Sequence, residues 1–264
     1  MDSEQPLTLK IIKYITPKLS GAGFLFLFMF LYAFLHSGFN LYSVLDELSS
    51  SMLWLLIFGY GILCSLLIDL IVHQIPRTNI VFRMSIGSFK SVLYVISGFA
   101  IFQVFGMNAI TIIAGFVGGV CALIFYMASS LAYHVRSFRV LFGILVPIIL
   151  IALLNIDFTA KSGWTEERTD SSYSASFDSF NGRHEIPIEL EEGEVFTVTH
   201  EFNNTNGAGH GFHIRNEKNQ YVGMEHISDE PSLLQLNVGK AGIYKIVITG
   251  ERISGSFTVN WTIE

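Results

Sequence analysis

Residues 91–135 read SVLYVISGFAIFQVFGMNAITIIAGFVGGVCALIFYMASSLAYHV, 45 consecutive positions without an Asp, Glu, Lys or Arg. The hydrocarbon core of a bilayer is crossed by about 20 apolar helical residues. One helix of this length, rising ~1.5 Å per residue, would overshoot that core more than twofold. The run is therefore expected to cross twice, turning near Gly106-Met107-Asn108, its one polar and flexible spot. That makes the chain an expected integral membrane protein.

Three further apolar windows flank this run. Leu19 to Leu45 holds a first span, around Gly21 to Leu41; Leu48 to Ile68 holds a second, continuing past Asp69 to about Val72. The long run supplies a third (about Ser88 to Phe105) and a fourth (about Ala109 to Tyr133), and Val140 to Ile156 a fifth at the short limit. The first span is too long for a cleavable signal, and more spans follow it. Ahead of it, residues 7–19 (LTLKIIKYITPKL) mix apolar positions with three lysines, as either a short interfacial helix or a basic leader would.

Orientation follows from the basic residues beside the spans. Lys10, Lys13 and Lys18 precede the first, Arg77, Arg83 and Lys90 separate the second and third, and Arg136 and Arg139 separate the fourth and fifth. The opposite loops, Asp46 to Ser51 and Gly106 to Asn108, contain none. Positive residues stay on the cytoplasmic side, so the N-terminus is expected inside a cell membrane and the chain beyond the fifth crossing outside.

Charge divides the 264 residues in the same place. Residues 1–155 carry eight Lys/Arg and five acids, net +3; the remainder carries eight and seventeen, net −9. An acidic outer half speaks against nucleic acid as a partner, since that needs a cationic surface. Both cysteines, Cys64 and Cys121, fall inside spans, so the outer half must fold without disulfides, a habit more usual in bacterial exported domains. The expected organisation is a cytoplasmic segment 1–18, a five-helix transmembrane domain 19–156, a Ser/Thr/Gly-rich linker 157–172 and a β domain 173–264.

In that last part the hydrophobic period becomes two. Ile186, Ile188 and Leu190 alternate with polar residues, as do Phe196, Val198 and Phe202, then Leu234, Leu236 and Val238, then Tyr244, Ile246 and Ile248, and finally Phe257, Val259, Trp261 and Ile263. Turn signals stand at Asn181-Gly182, Glu192-Gly193, Asn206-Gly207, Ala241-Gly242 and Ser254-Gly255. With Tyr173 to Phe180, Gly211 to Asn216 and a short Gln220 to Met224, about eight strands are expected, in an antiparallel β-sandwich of jelly-roll or Greek-key form.

The stretch 240–261, KAGIYKIVITGERISGSFTVNW, resembles the ending of small bacterial extracytoplasmic β-sandwich domains of the pre-peptidase C-terminal type, where a Gly-x-Tyr strand precedes a Gly-Ser-Phe strand. The resemblance implies a fold and an extracytoplasmic setting. It assigns no functional residue. The five-span part resembles no family.

Chemistry has few candidates. His184, His200, His210, His213 and His226 lie in the outer half, but strand parity scatters them, so no metal site and no cofactor are expected. A P-loop, a His-Glu-x-x-His and a Gly-x-Ser-Gly motif are all absent, so no catalytic residues are assigned. The loop NNTNGAGHG, 203–211, is long for a hairpin and is a candidate ligand-contacting tip through Asn203, Asn204, Asn206 and His210. In the membrane part, Asp69 is the acidic residue within a span, and His73 follows it on the same helix face. Ser65 precedes Asp69 on that row, whose small and polar character suggests contact with other helices. Gly115, Gly118, Gly119 and Ala122 form a small-residue face suited to close helix packing, within the chain or against a second copy in a homo-oligomer.

The leading expectation is a non-enzymatic multi-pass protein whose outer β domain binds a partner, a glycan or an envelope component, an envelope protein or glycan ligand being the partners expected beside the lipid bilayer. The alternative is a small transporter or ion-coupled protein using Asp69 and His73.

Overall fold

The computed structural model of the chain describes residues 6–75, 80–227 and 233–264. It forms two compact units, Met1–Ile156 and Asp157–Glu264, dividing where the composition changes. Arg77 and the side chain of Arg83, both used above to set orientation, lie outside the described part.

The first unit is helical: α1 Leu7–His36, α2 Leu41–Leu48, α3 Ser51–His73, α4 Ile80–Gln103, α5 Ala109–His134 and α6 Arg136–Leu154. All but α2 are long and apolar enough to cross a membrane. Residues 7–19 are not a separate interfacial helix; α1 runs unbroken through Pro17. Hydroxyls brace the backbone there, Thr16 Oγ1 donating to Ile12 O and Ser20 Oγ to Thr16 O. Lys90 sits well inside α4 and Arg139 in the first turn of α6, so these basic groups belong to helices, not to loops.

Polar side chains terminate the apolar runs. Asn108 accepts from the Thr111 amide at 3.0 Å while Thr111 Oγ1 accepts from the Asn108 amide at 3.0 Å, a reciprocal cap that starts α5 after the turn. Gly106 supplies the left-handed residue of that turn, at φ +99°. The expected loop around Asp46 is instead the amphipathic α2, capped by Asn40 and burying Val44, Leu45 and Leu48. Inside the bundle, Phe26 packs on Trp54 and Phe58. Around its outside lies a continuous apolar surface, on α5 alone Ile110, Ile113, Phe116, Val117 and Val120.

Among its described residues, the second unit is a nine-stranded antiparallel sheet: β1 Ala160–Ser162, β2 Thr165–Arg168, β3 Ser172–Leu190, β4 Val195–Asn204, β5 His210–Arg215, β6 Tyr221–Val222, β7 Glu225–His226, β8 Leu233–Asn237 and β9 Gly242–Ile263. The path is β1-β3-β9-β4-β8-β7, with β2 on β3, β5 on β9 and β6 on β5. Two long strands organise it. β3 and β9 pair from Ser172↔Asn260 to Leu190↔Gly242, while β4 and β5 share the other edge of β9.

Two turn signals therefore do something else. Asn181-Gly182 and Ser254-Gly255 are not hairpin turns but bends within β3 and β9. The register slips between Phe177 and Asn181, and Gly182, Gly255 and Arg252 hold positive φ (134°, 131° and 61°). Phe180 pairs with Ile253 at this irregularity, so the two strands stay paired through it. The apolar rows of β3, β4, β5 and β9 contribute to one core that includes Phe180, Ile186, Phe196, Val198, Ile214, Ile248, Phe257 and Trp261. The segment 157–172 is no tether: β1 and β2 are hydrogen-bonded to β3 across Ala160↔Asn181 and Thr165↔Ser176.

Candidate functional site

Asp69 lies four residues before the end of α3, about 6 Å along the axis. A half-buried carboxylate within an apolar helix is costly unless paired, and the pairing comes from other helices. Lys18 of α1 donates to Asp69 Oδ2 at 2.6 Å, Lys90 of α4 to Oδ1 at 2.7 Å, and the Tyr14 hydroxyl to Oδ2 at 2.8 Å. Lys18 also donates to Ser65 Oγ at 2.6 Å, and Ser65 Oγ is 2.5 Å from the Tyr94 hydroxyl of α4. Three helices are thereby joined by one carboxylate and its neighbours.

Burial sets the weight of these contacts. Lys18 is 2% exposed, Asp69 20% and Lys90 27%. Removing one partner of a buried pair costs about 3–5 kcal/mol, because the other charge is left uncompensated. The expected row of Ser65, Asp69 and His73 faces the bundle at its first two members, while His73 is exposed. His73 lines the same cleft of about 620 Å³ as Asp69, Lys90, Tyr14 and Tyr133. Among the described residues no hydrogen bond or ion pair joins it to Asp69, whose partners come from α1 and α4. Sequence spacing could not have shown this, since Lys18 and Asp69 are 51 positions apart.

A second, apolar cleft of about 370 Å³ lies between α1, α3, α4 and α5, with Met29, Ile57, Tyr60, Cys64 and Gly98 among its walls. Tyr94 reaches it from the polar cluster. The small-residue face of α5 is spent on α4. A Cβ on Gly118 would stand 2.3 Å from Gly98 O, one on Gly115 2.8 Å from the Phe99 ring and one on Gly119 3.2 Å from Val95, while Ala122 faces Gly98. The same closeness joins α1 to α6, where a Cβ on Gly23 would meet Phe142 O at 1.9 Å.

In the β unit the tip 203–211 is built from its own side chains. Asn204 Oδ1 accepts from the amides of Asn206 and Gly207 and its Nδ2 donates to Ala208 O; Asn206 Nδ2 donates to Arg252 O. Asn203 and His210 are exposed, and the His210 ring packs on Phe202 at 4.3 Å. His200 stacks on Phe212 at 4.3 Å, on the apolar side of β4. No group of three or more His, Cys, Asp or Glu among the described residues is placed to hold a metal ion.

One cluster escaped the sequence reading. Trp164, Tyr173 and His184 pack together, with Lys161 Nζ 4.1 Å from the Trp164 ring and 2.8 Å from His184 Nδ1. Glu166 accepts from the Trp164 indole at 2.6 Å and from the Tyr173 hydroxyl. Burial, then the Lys161 charge, pushes the His184 pKa down to about 4. The signal was hidden because 157–172 looks polar and short of β pattern.

No protein-family model matches the chain, and no curated protein matches it. Among solved structures, similarity is found to the Aeromonas hydrophila PliG, a periplasmic lysozyme inhibitor of g-type lysozyme. The match has 18% identity and a TM-score of 0.25, covering 38% of this chain and 89% of that one. A likeness at that level carries no functional argument.

Proposed function

We propose that the chain is a multi-pass protein of a cell membrane, with its N-terminus cytoplasmic and its β unit outside, where that unit binds an envelope protein or a glycan. The observation that carries this reading is the pairing of two unlike surfaces. The helical unit exposes large apolar residues on every long helix, an area far beyond what a soluble surface carries. The β unit closes a core of its own and presents polar strand faces. Its bent sheet is inferred to double over as a sandwich of the kind suggested by the 240–261 stretch. The tip at Asn203 to His210 is the favoured contact surface, because its internal hydrogen bonds lower the ordering cost of binding.

The ion-coupled alternative draws less support from Asp69, whose two oxygens are both held by lysines. A pair of variants separates the readings. A chain ended after Ile156 should reproduce the gene-deletion phenotype under envelope stress, while His73→Ala at normal abundance should behave as wild type. Loss of function in His73→Ala with the truncated chain still active would favour ion coupling.

A further inference from the structure

The Asp69 cluster does not balance its own charge. Two ammonium groups, Lys18 and Lys90, surround one carboxylate, leaving one positive charge in excess at a half-buried position. Lys18 spends its donors on Asp69 and Ser65. Lys90 does not: an ammonium has three N–H donors, and among the described residues Lys90 gives one, to Asp69. It faces the cleft of about 620 Å³, whose lining includes Tyr14, its hydroxyl given to Asp69, and Tyr133, its hydroxyl 3.5 Å from Tyr14 O. Arg139 adds positive charge at the same end of α5, donating to the carbonyls of Ala132 and Tyr133. Leu66, Leu70 and Val72 line the cleft with apolar surface, and His73 completes the lining.

We propose that this cleft binds the phosphate headgroup of an anionic glycerophospholipid, with Lys90 as its ion partner and Tyr133, whose hydroxyl makes only a long 3.5 Å bond to Tyr14 O, turning to it as a second donor. Asp69 does not oppose an anion there, because both its oxygens are already occupied by cations and the Tyr14 hydroxyl. The apolar wall beside the donors suits the glycerol and first methylenes of a lipid better than a free anion. Basic pockets between membrane helices are a recurrent means of holding such headgroups. The inference rests on the reading that the helices cross a bilayer.

The test uses the purified full chain in bilayer discs of phosphatidylcholine, with and without phosphatidylglycerol. The expected result is a thermal midpoint several degrees higher with phosphatidylglycerol, the difference disappearing in Lys90→Gln and persisting in Lys90→Arg. If Lys90 only steadies Asp69, Lys90→Gln lowers the midpoint equally in both lipids and the difference survives, which overturns the site. Should Lys90→Gln fail to fold, Tyr133→Phe, which leaves Asp69 untouched, must shrink the difference. An equal midpoint of the wild type in both lipids overturns the proposal while leaving the membrane reading intact. So does an equal rise produced by inorganic phosphate in phosphatidylcholine discs, which would make this a free-phosphate site. A chain that does not enter discs at all overturns both.

Discussion

His184 sits between Trp164 and Tyr173 with its Nδ1 2.8 Å from the Lys161 ammonium. That distance requires the ring nitrogen to accept, so a protonated imidazole would face a cation at contact distance. Burial and Lys161 together lower the folded-state pKa to about 4, against about 6.5 in an unfolded chain. Since the unfolded state binds the proton more readily, stability from this group is complete above about pH 6.5 and falls as pH drops towards 4. Glu166, lowered first by its Tyr173 and Trp164 hydrogen bonds, adds a loss of the same sign below the usual carboxylate range. The β unit should therefore melt at progressively lower temperature between pH 7 and pH 5, and His184→Gln should flatten that slope. A slope unchanged by the substitution would mean that His184 is not the titrating group.

At the scale of elements, the helices were the more legible part. Charge-free windows located all five long ones, and the Gly106–Asn108 turn was readable because an Asn cap and a left-handed Gly have few other uses in an apolar run. Local pattern could not reveal that Lys18, Asp69 and Lys90 would meet, since three separate helices supply them. The β alternation placed Ile186, Val198, Ile246 and Phe257 in the core. It failed at Asn181-Gly182 and Ser254-Gly255, because the same residue types serve a turn and a strand bend. It failed again at 157–172, where β1 and β2 are short exposed edge strands with no apolar row of their own. That last difference has a consequence. A fragment of residues 157–264 should unfold in one cooperative step with no dependence on EDTA, whereas residues 173–264, lacking Trp164 over Phe177 and Phe180, should be less stable by about 2–4 kcal/mol. Equal denaturant midpoints for the two would show that the first strands are decoration.

At the scale of the molecule, the proposed topology requires each half of the chain to lie in a different solvent. Under the proposed topology, five crossings starting from a basic N-terminal side would put residues after α6 on the opposite side from Lys10 and Arg136. Single cysteines test this most directly, placed in a Cys64→Ala/Cys121→Ala background at Glu192, exposed on the β unit, and at Ser137, exposed at the start of α6. With a membrane-impermeant maleimide, the account predicts that Glu192→Cys is labelled in intact cells and Ser137→Cys only after permeabilisation. Labelling of Ser137→Cys in intact cells, or protection of Glu192→Cys until lysis, would contradict it.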